Sequence, residues 1–252
     1  MTARSGRTFA SLAAVALTVA CTHYQEIPIE TPIRPTLDVS AFQRVLVAGF
    51  IAGGTPDVDA NLETTRLLRS QLRSKSELRV IDADTLPLLE VVASERAKSG
   101  GAAQEPLPAI KEEKDLEPYE PLFANVGYWR QIGEEFQQPL IITGTVMFMP
   151  QEQSSSVIRP QETRDEFGRR QTETTRVYVE RKGFVLRPKF IFIDGRNGSI
   201  LHNVTYRENI LYNASQQTPA LSSYFDLMDR LIPSFLGTLS SQKVRGTRFL
   251  LQ

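Results

Sequence analysis

Two predominantly apolar runs constrain the fold more than any other feature of the chain: Arg44–Phe50 (RVLVAGF) and Leu140–Phe148 (LIITGTVMF). Neither alternates polar with apolar residues, so each suits a strand buried on both faces of a sheet. Such a sheet needs helices on both sides. Val58, Leu62, Thr65, Leu68 and Leu72 fall on one face of a helix after Asp57 or Asp59 as N-cap. Leu78–Asp82 reads as a second strand, and Leu86–Lys98 as a second helix started by Asp84 or Thr85. Leu122, Val126, Trp129, Gly133 and Phe136 mark a third helix, and Leu221–Leu239 a long final one with Pro233 as an expected kink. The class expected is α/β with α+β character: a mixed central sheet flanked by helices.

The second half adds antiparallel structure. Residues 151–183 are a polar insert that reads as a β-hairpin, with its tip at Gly168 and threonines and valines favouring strand in its second arm. It is expected to project from the sheet as a ribbon. Phe184–Ile193 continues as a core strand, Asp194–Gly198 (DGRNG) turns, and Ile200–Tyr212 returns as one strand. Arg248–Leu251 reads as a last short strand closing the sheet. Residues 99–121, rich in Gly, Pro and charge, are expected to form a mobile loop.

Charge and rare residues narrow the function. The 252 residues carry 29 Lys+Arg against 29 Asp+Glu, which excludes a nucleic-acid binder relying on a global basic surface. A single cysteine excludes an internal disulfide and any Cys-pair zinc site. His23 and His202 are the only histidines, and no G-x-S-x-G elbow or Gly-Lys-Ser/Thr loop is present. Gly49, Gly53 and Gly54 read as a flexible strand-to-helix loop. Glu112, Glu113, Asp115, Glu117 and Glu120 read as a solvated loop, because neither converging carboxylates nor a calcium pattern is present. The expectation is a non-enzyme with no cofactor or metal.

Residues 1–20 read as a signal peptide, with Arg4 and Arg7 before an apolar stretch Phe9–Ala20 that is too short to span a bilayer comfortably. The lone cysteine ends that stretch. Leu17-Thr18-Val19-Ala20-Cys21 resembles the lipobox of bacterial lipoproteins, with Thr18 where that family usually has Leu. The resemblance implies a diacylglycerol thioether at Cys21 and a further acyl chain such as palmitate. The prolines of residues 21–40 then make a lipidated tether before a single domain over 41–252. Ile27, Ile29 and Ile33 leave open an ordered arm instead. No Asp follows Cys21, which by the same resemblance leans toward the outer membrane.

Three stretches carry a second resemblance: RVLVAGF with the helix Asn61–Leu68, PLIITGTV, and FIFIDGRNGSIL. Together they resemble the α/β domain of the curli-secretion lipoprotein family. Penicillin-binding-protein activator lipoproteins share that type of domain. The resemblance covers residues 44–150 and 184–240 and brings no catalytic motif. The lipobox resemblance and the absence of an assembled catalytic set point to a periplasm-facing, lipid-anchored cell-envelope protein that binds another envelope protein. The alternative, which the 151–183 ribbon suggests, is an oligomeric secretion or pore component of the outer membrane, which admits homo-oligomers. Partner-binding candidates are Tyr119 and Tyr128, beside the expected loop, and the stripe Arg66, Arg69 and Arg73 on the first helix. That stripe reads either as a contact for anionic headgroups or as the wet side of an amphipathic helix.

Overall fold

The computed structural model describes residues 24–98, 109–164, 167–168, 170–213, 215–216 and 219–251. Cys21, the signal segment 1–20 and residues 99–108 of the expected loop lie outside the described residues. By contact density the chain forms two units: its two ends, through Arg34 and from Ser241, make one, and Pro35–Ser240 the other.

In the larger unit the elements run β2 (Arg44–Gly54), α1 (Ala60–Lys75), β3 (Arg79–Val80), α2 (Leu88–Lys98), a 3-10 segment (Glu113–Tyr119), α3 (Glu120–Phe123), α4 (Val126–Glu135), β4 (Leu140–Arg164), β5 (Arg170–Asp194), β6 (Ile200–Thr205), β7 (Glu208–Asn213) and α5 (Ala220–Leu239). The fold is mixed α/β. The sheet order is β3-β2-β4-β5-β6, with β7 also on β5. β2 lies parallel to β3 and β4, and β4, β5, β6 and β7 pair antiparallel.

Alternation along β4 and β5 builds the layers. Leu140, Ile142, Val146, Phe148, Leu186, Phe190 and Phe192 face one core, closed by Leu68 and Leu72 of α1 and by Tyr224, Leu231 and Phe235 of α5. Ile141, Met147, Ile191 and Ile193 face the other, closed by Val92 of α2, Leu116, Tyr119, Phe123 and Trp129. Both faces are therefore covered, as the apolar runs require.

Several local expectations shift. Asp59, not Asp57, caps α1 by accepting from the Leu62 N–H at 3.0 Å. α2 begins after Pro87, whose carbonyl accepts from the Val91 N–H at 3.1 Å, so neither Asp84 nor Thr85 starts it. The third helix starts at the Asn125 cap, which accepts from Tyr128 N–H at 3.1 Å, because short turns occupy residues 113–123. β2 runs on through Gly53 and Gly54, which read as loop, because β4 continues beside it to Phe148. The strand expected over Ile200–Tyr212 is broken at Tyr206–Arg207 into β6 and β7. α5 continues through Pro233, which sits on its exposed side.

In the smaller unit β1 (Tyr24–Ile33) pairs antiparallel with β8 (Gln242–Leu251) along its whole length, from Tyr24↔Leu251 to Ile33↔Gln242. Glu30 accepts from Arg245 at 3.0 Å and meets Lys243 at 3.5 Å. The last strand was expected to close the sheet; its partner is instead the proline-bearing segment read as a tether. Pro28 and Pro32 are tolerated there because a two-stranded ribbon has a free edge for each residue that lacks an N–H.

The turn after β5 is held by charge. Asp194 is buried, and Arg196 donates to both its carboxylate oxygens at 2.7–3.1 Å, while lying 4.7 Å from the Phe42 ring centroid. These Arg196 hydrogen bonds hold the Asp194 carboxyl below the ordinary carboxylate range, against the opposing effect of burial. A carboxylate with a lowered folded pKa stabilises the fold above its unfolded pKa and stops doing so as pH falls through the folded value. The urea midpoint of the native chain should therefore fall on acidification from about pH 5 to 3, and more steeply than that of Asp194→Asn.

Gly133 shows where α4 meets this turn. A Cβ on it would lie 1.7 Å from the Gly195 carbonyl oxygen, a backbone atom. Replacing a helical Gly by Ala ordinarily stabilises by about 1 kcal/mol. Here the clash wins, and Gly133→Ala should cost about 1–3 kcal/mol by urea unfolding.

Candidate partner-binding surface

The stripe on α1 is drawn into the protein's own contacts. Arg66 pairs with Glu63 at 3.3 Å and Arg73 pairs with Asp82. Arg69 is half-buried and donates from Nη2 to the Val47 carbonyl on β2 at 2.8 Å, while its buried Nε has no acceptor among the described residues. Burial pushes its pKa down, opposed by the nearby Asp82. The three arginines therefore do not form one outward cationic face. Arg69→Met should lower stability by about 1–2 kcal/mol in urea unfolding, whereas Arg66→Ala should shift it by less than about 0.5 kcal/mol.

The two tyrosines part company. Tyr119 is only 1% exposed, with its ring in the second core, so it offers no ring to a partner. The reason is local: the 3-10 segment closes over the sheet where a solvated loop was expected, and Arg96 lies 6.0 Å from the Tyr119 ring centroid. Tyr128 is half-buried and packs edge-on against Trp129 at 4.9 Å. Burial raises both hydroxyl pKa values. Trp129, fully buried, donates from Nε1 to the Leu122 carbonyl at 2.9 Å.

An open cleft of about 510 Å³ lies between β5 and the 3-10 segment. Two of its cations are occupied: Arg187 pairs with Glu113 at 2.7 Å and Lys189 with Glu120 at 2.6 Å. The glutamates of the expected solvated loop thus latch that segment to the sheet. His202 is half-buried and stacked on Phe192 at 6.0 Å. Among the described residues no group of three or more His, Cys, Asp or Glu is placed to hold a metal ion. None of their helices is long and apolar enough to cross a membrane.

What stands out from the body is the ribbon. β2 accompanies β4 only as far as Phe148, and β7 accompanies β5 only as far as Arg181. Beyond those points, among the described residues, β4 and β5 pair with each other alone, out to Arg164↔Arg170. At ~3.4 Å per residue the free part reaches about 40 Å. Its middle is apolar on both faces. Val157 opposes Val177 on one face, and on the other Ile158 and Tyr178 are diagonal neighbours, 63% and 75% exposed. A two-stranded ribbon with both faces wet is marginal in water. Its two edges also differ. The β4 edge carries Pro150 and Pro160, which guard an edge by removing donors, while Arg170–Glu180 on β5 contains no proline. The hairpin was legible in the sequence; the mid-ribbon apolar belt was not, because it shows only once the register sets which residues face each other.

No protein-family model and no curated protein matches the chain. Solved structures give distant likenesses at low identity. The lipoprotein GNA1162 of Neisseria meningitidis is 12% identical with TM-score 0.34, over 77% of this chain and 97% of that one. A PelC dodecamer of Paraburkholderia phytofirmans is 13% identical with TM-score 0.36, over 86% and 100%. A neuraminyllactose-binding hemagglutinin homolog of Helicobacter pylori is 10% identical with TM-score 0.34, over 81% and 83%.

Proposed function

We propose that this chain is a non-catalytic, lipid-anchored protein of the bacterial cell envelope. Acyl chains at Cys21 hold it to the periplasm-facing leaflet of the outer membrane, and its ribbon docks it to another envelope protein. The observation that carries the docking role is the unsupported stretch of β4 and β5, with Val157, Ile158, Val177 and Tyr178 exposed in one belt. An extended, two-sided, partly apolar ribbon gains stability when a partner covers it. The anchor rests on the lipobox resemblance alone.

The pore reading fits the ribbon less well. A lipid-facing strand needs about 9–11 residues with one apolar face. Here Arg159 and Arg181 share the face of Val157 and Val177, and Glu152, Arg176, Glu180 and Lys182 share the other. Charges on both faces suit a wet or protein-covered ribbon.

Two variants test this. Cys21→Ser should lose palmitate label and leave the membrane fraction. A chain whose residues 153–181 are replaced by an Asn-Gly turn should stay anchored and folded, but run as a smaller species than the native chain in mild detergent extracts. A ribbon-less chain that keeps the native complex size would sink the docking role. An unlabelled, unanchored native chain would sink the anchor.

A further inference from the structure

The backbone direction along β5 can be read from one bond. The carbonyl of Pro188 accepts from the Tyr206 N–H at 2.9 Å, on the side away from β4. In an antiparallel strand alternate residues point both N–H and C=O the same way. The β4–β5 register runs from Leu140↔Asp194 to Arg164↔Arg170 without a shift. The even-numbered residues of β5 therefore turn their backbone groups away from β4. β7 sits beside β5 from Arg181 to Leu186. From Arg170 to Glu180 nothing does among the described residues, so Thr172, Thr174, Arg176, Tyr178 and Glu180 present open donors and acceptors. The opposite edge follows the same rule: Pro150 and Pro160 are also even-numbered and sit across from Phe184 and Thr174. Prolines blunt that edge at outward positions and cost the ladder nothing.

We propose that the β5 edge, Arg170–Glu180, pairs antiparallel with the same edge of a second copy of this chain, about a two-fold axis at Thr175. This rests on the reading of the ribbon as the assembly element and adds to it a contact with a second copy of the chain. The edge is self-complementary. Pairing about Thr175 sets Arg170 opposite Glu180, Thr172 opposite Tyr178, and Thr174 opposite Arg176, each taken twice by symmetry. All six are outward-pointing residues, so each opposed pair exchanges two bonds, about twelve in all. Their side chains share one face, where opposite charges and Thr–aromatic pairs are favourable cross-strand neighbours. Moving the axis by one residue sets Thr174 opposite itself and Arg170 opposite Tyr178, or Arg176 opposite itself; only the Thr175 axis joins Arg170 to Glu180 and uses the whole free edge. The result is a four-stranded sheet whose outer edges are the proline-bearing β4 strands, so association stops at two.

The test uses the full chain in mild detergent. Light scattering should give a dimer that weakens with added salt. Glu180→Arg should raise its dissociation constant about tenfold, and the double variant Arg170→Glu, Glu180→Arg should recover it to within about threefold. Thr174→Pro should give a monomer whose unfolding midpoint matches that of the native chain diluted below its dissociation constant, since its N–H serves only the second copy. Under oxidation Thr175→Cys should cross-link into a dimer, because residues on the axis lie about 4.5 Å apart at Cα; Val177→Cys should not. A native monomer, a ring of more copies, or a charge swap that does not recover pairing would overturn the proposal. A monomer whose ribbon is still needed for the larger envelope complex would overturn self-pairing and leave the proposed function standing.

Discussion

One unbroken antiparallel ladder, Leu140↔Asp194 to Arg164↔Arg170, sets both the inside and the outside of the larger unit. Because side chains alternate with period two, a slip of one residue would turn Phe190 and Phe192 out of one core and Ile191 and Ile193 out of the other. The cores on the two faces therefore pin the register. The same register, carried beyond the sheet, decides which ribbon residues share a face and which edge is open. A ribbon reaching about 40 Å from the body thus inherits its chemistry from packing at its base.

The helices answer to that ladder. On one side α1 and α5 meet through a buried polar contact: the Tyr224 hydroxyl shares a hydrogen bond with Thr64 and donates to the Ala60 carbonyl at 3.2 Å. Burial drives the Tyr224 pKa up, keeping the hydroxyl protonated and able to donate. Around it Phe148 meets Tyr224 edge-on at 5.2 Å, and Phe190 meets Phe235 at 4.9 Å. Contacts of this kind add about 0.5–1.5 kcal/mol beyond area burial. On the other side the helices are shorter, and α2, α4 and the 3-10 segment cover the sheet together, the segment latched by Glu113 and Glu120 onto Arg187 and Lys189 of β5.

These latches show what a residue-by-residue reading of the surface leaves out. A charged, proline-bearing stretch such as 109–121 looks solvated because sequence shows its polarity and not its neighbours. Once Leu116, Tyr119 and Leu122 have an apolar sheet to lie on, Glu113 and Glu120 fall beside Arg187 and Lys189. The arginines of α1 follow the same logic. Helical spacing put Arg66, Arg69 and Arg73 on one face, but β2 passes close enough for Arg69 to fold onto Val47, and Asp82 takes Arg73.

The chain by itself determined the α/β class, the buried strands β2 and β4, the long final helix and the hairpin around Gly168. Each is a local periodicity or a turn whose cause lies within a few residues. The tertiary structure alone decided that β8 joins β1, that Tyr119 is interior, and that Arg170–Glu180 is an open edge. Those depend on which distant segments compete for the same backbone groups: β7 ends opposite Arg181, and β2 ends opposite Phe148. Hydrogen-bond donors are local, but whether they are already taken is a property of the whole fold.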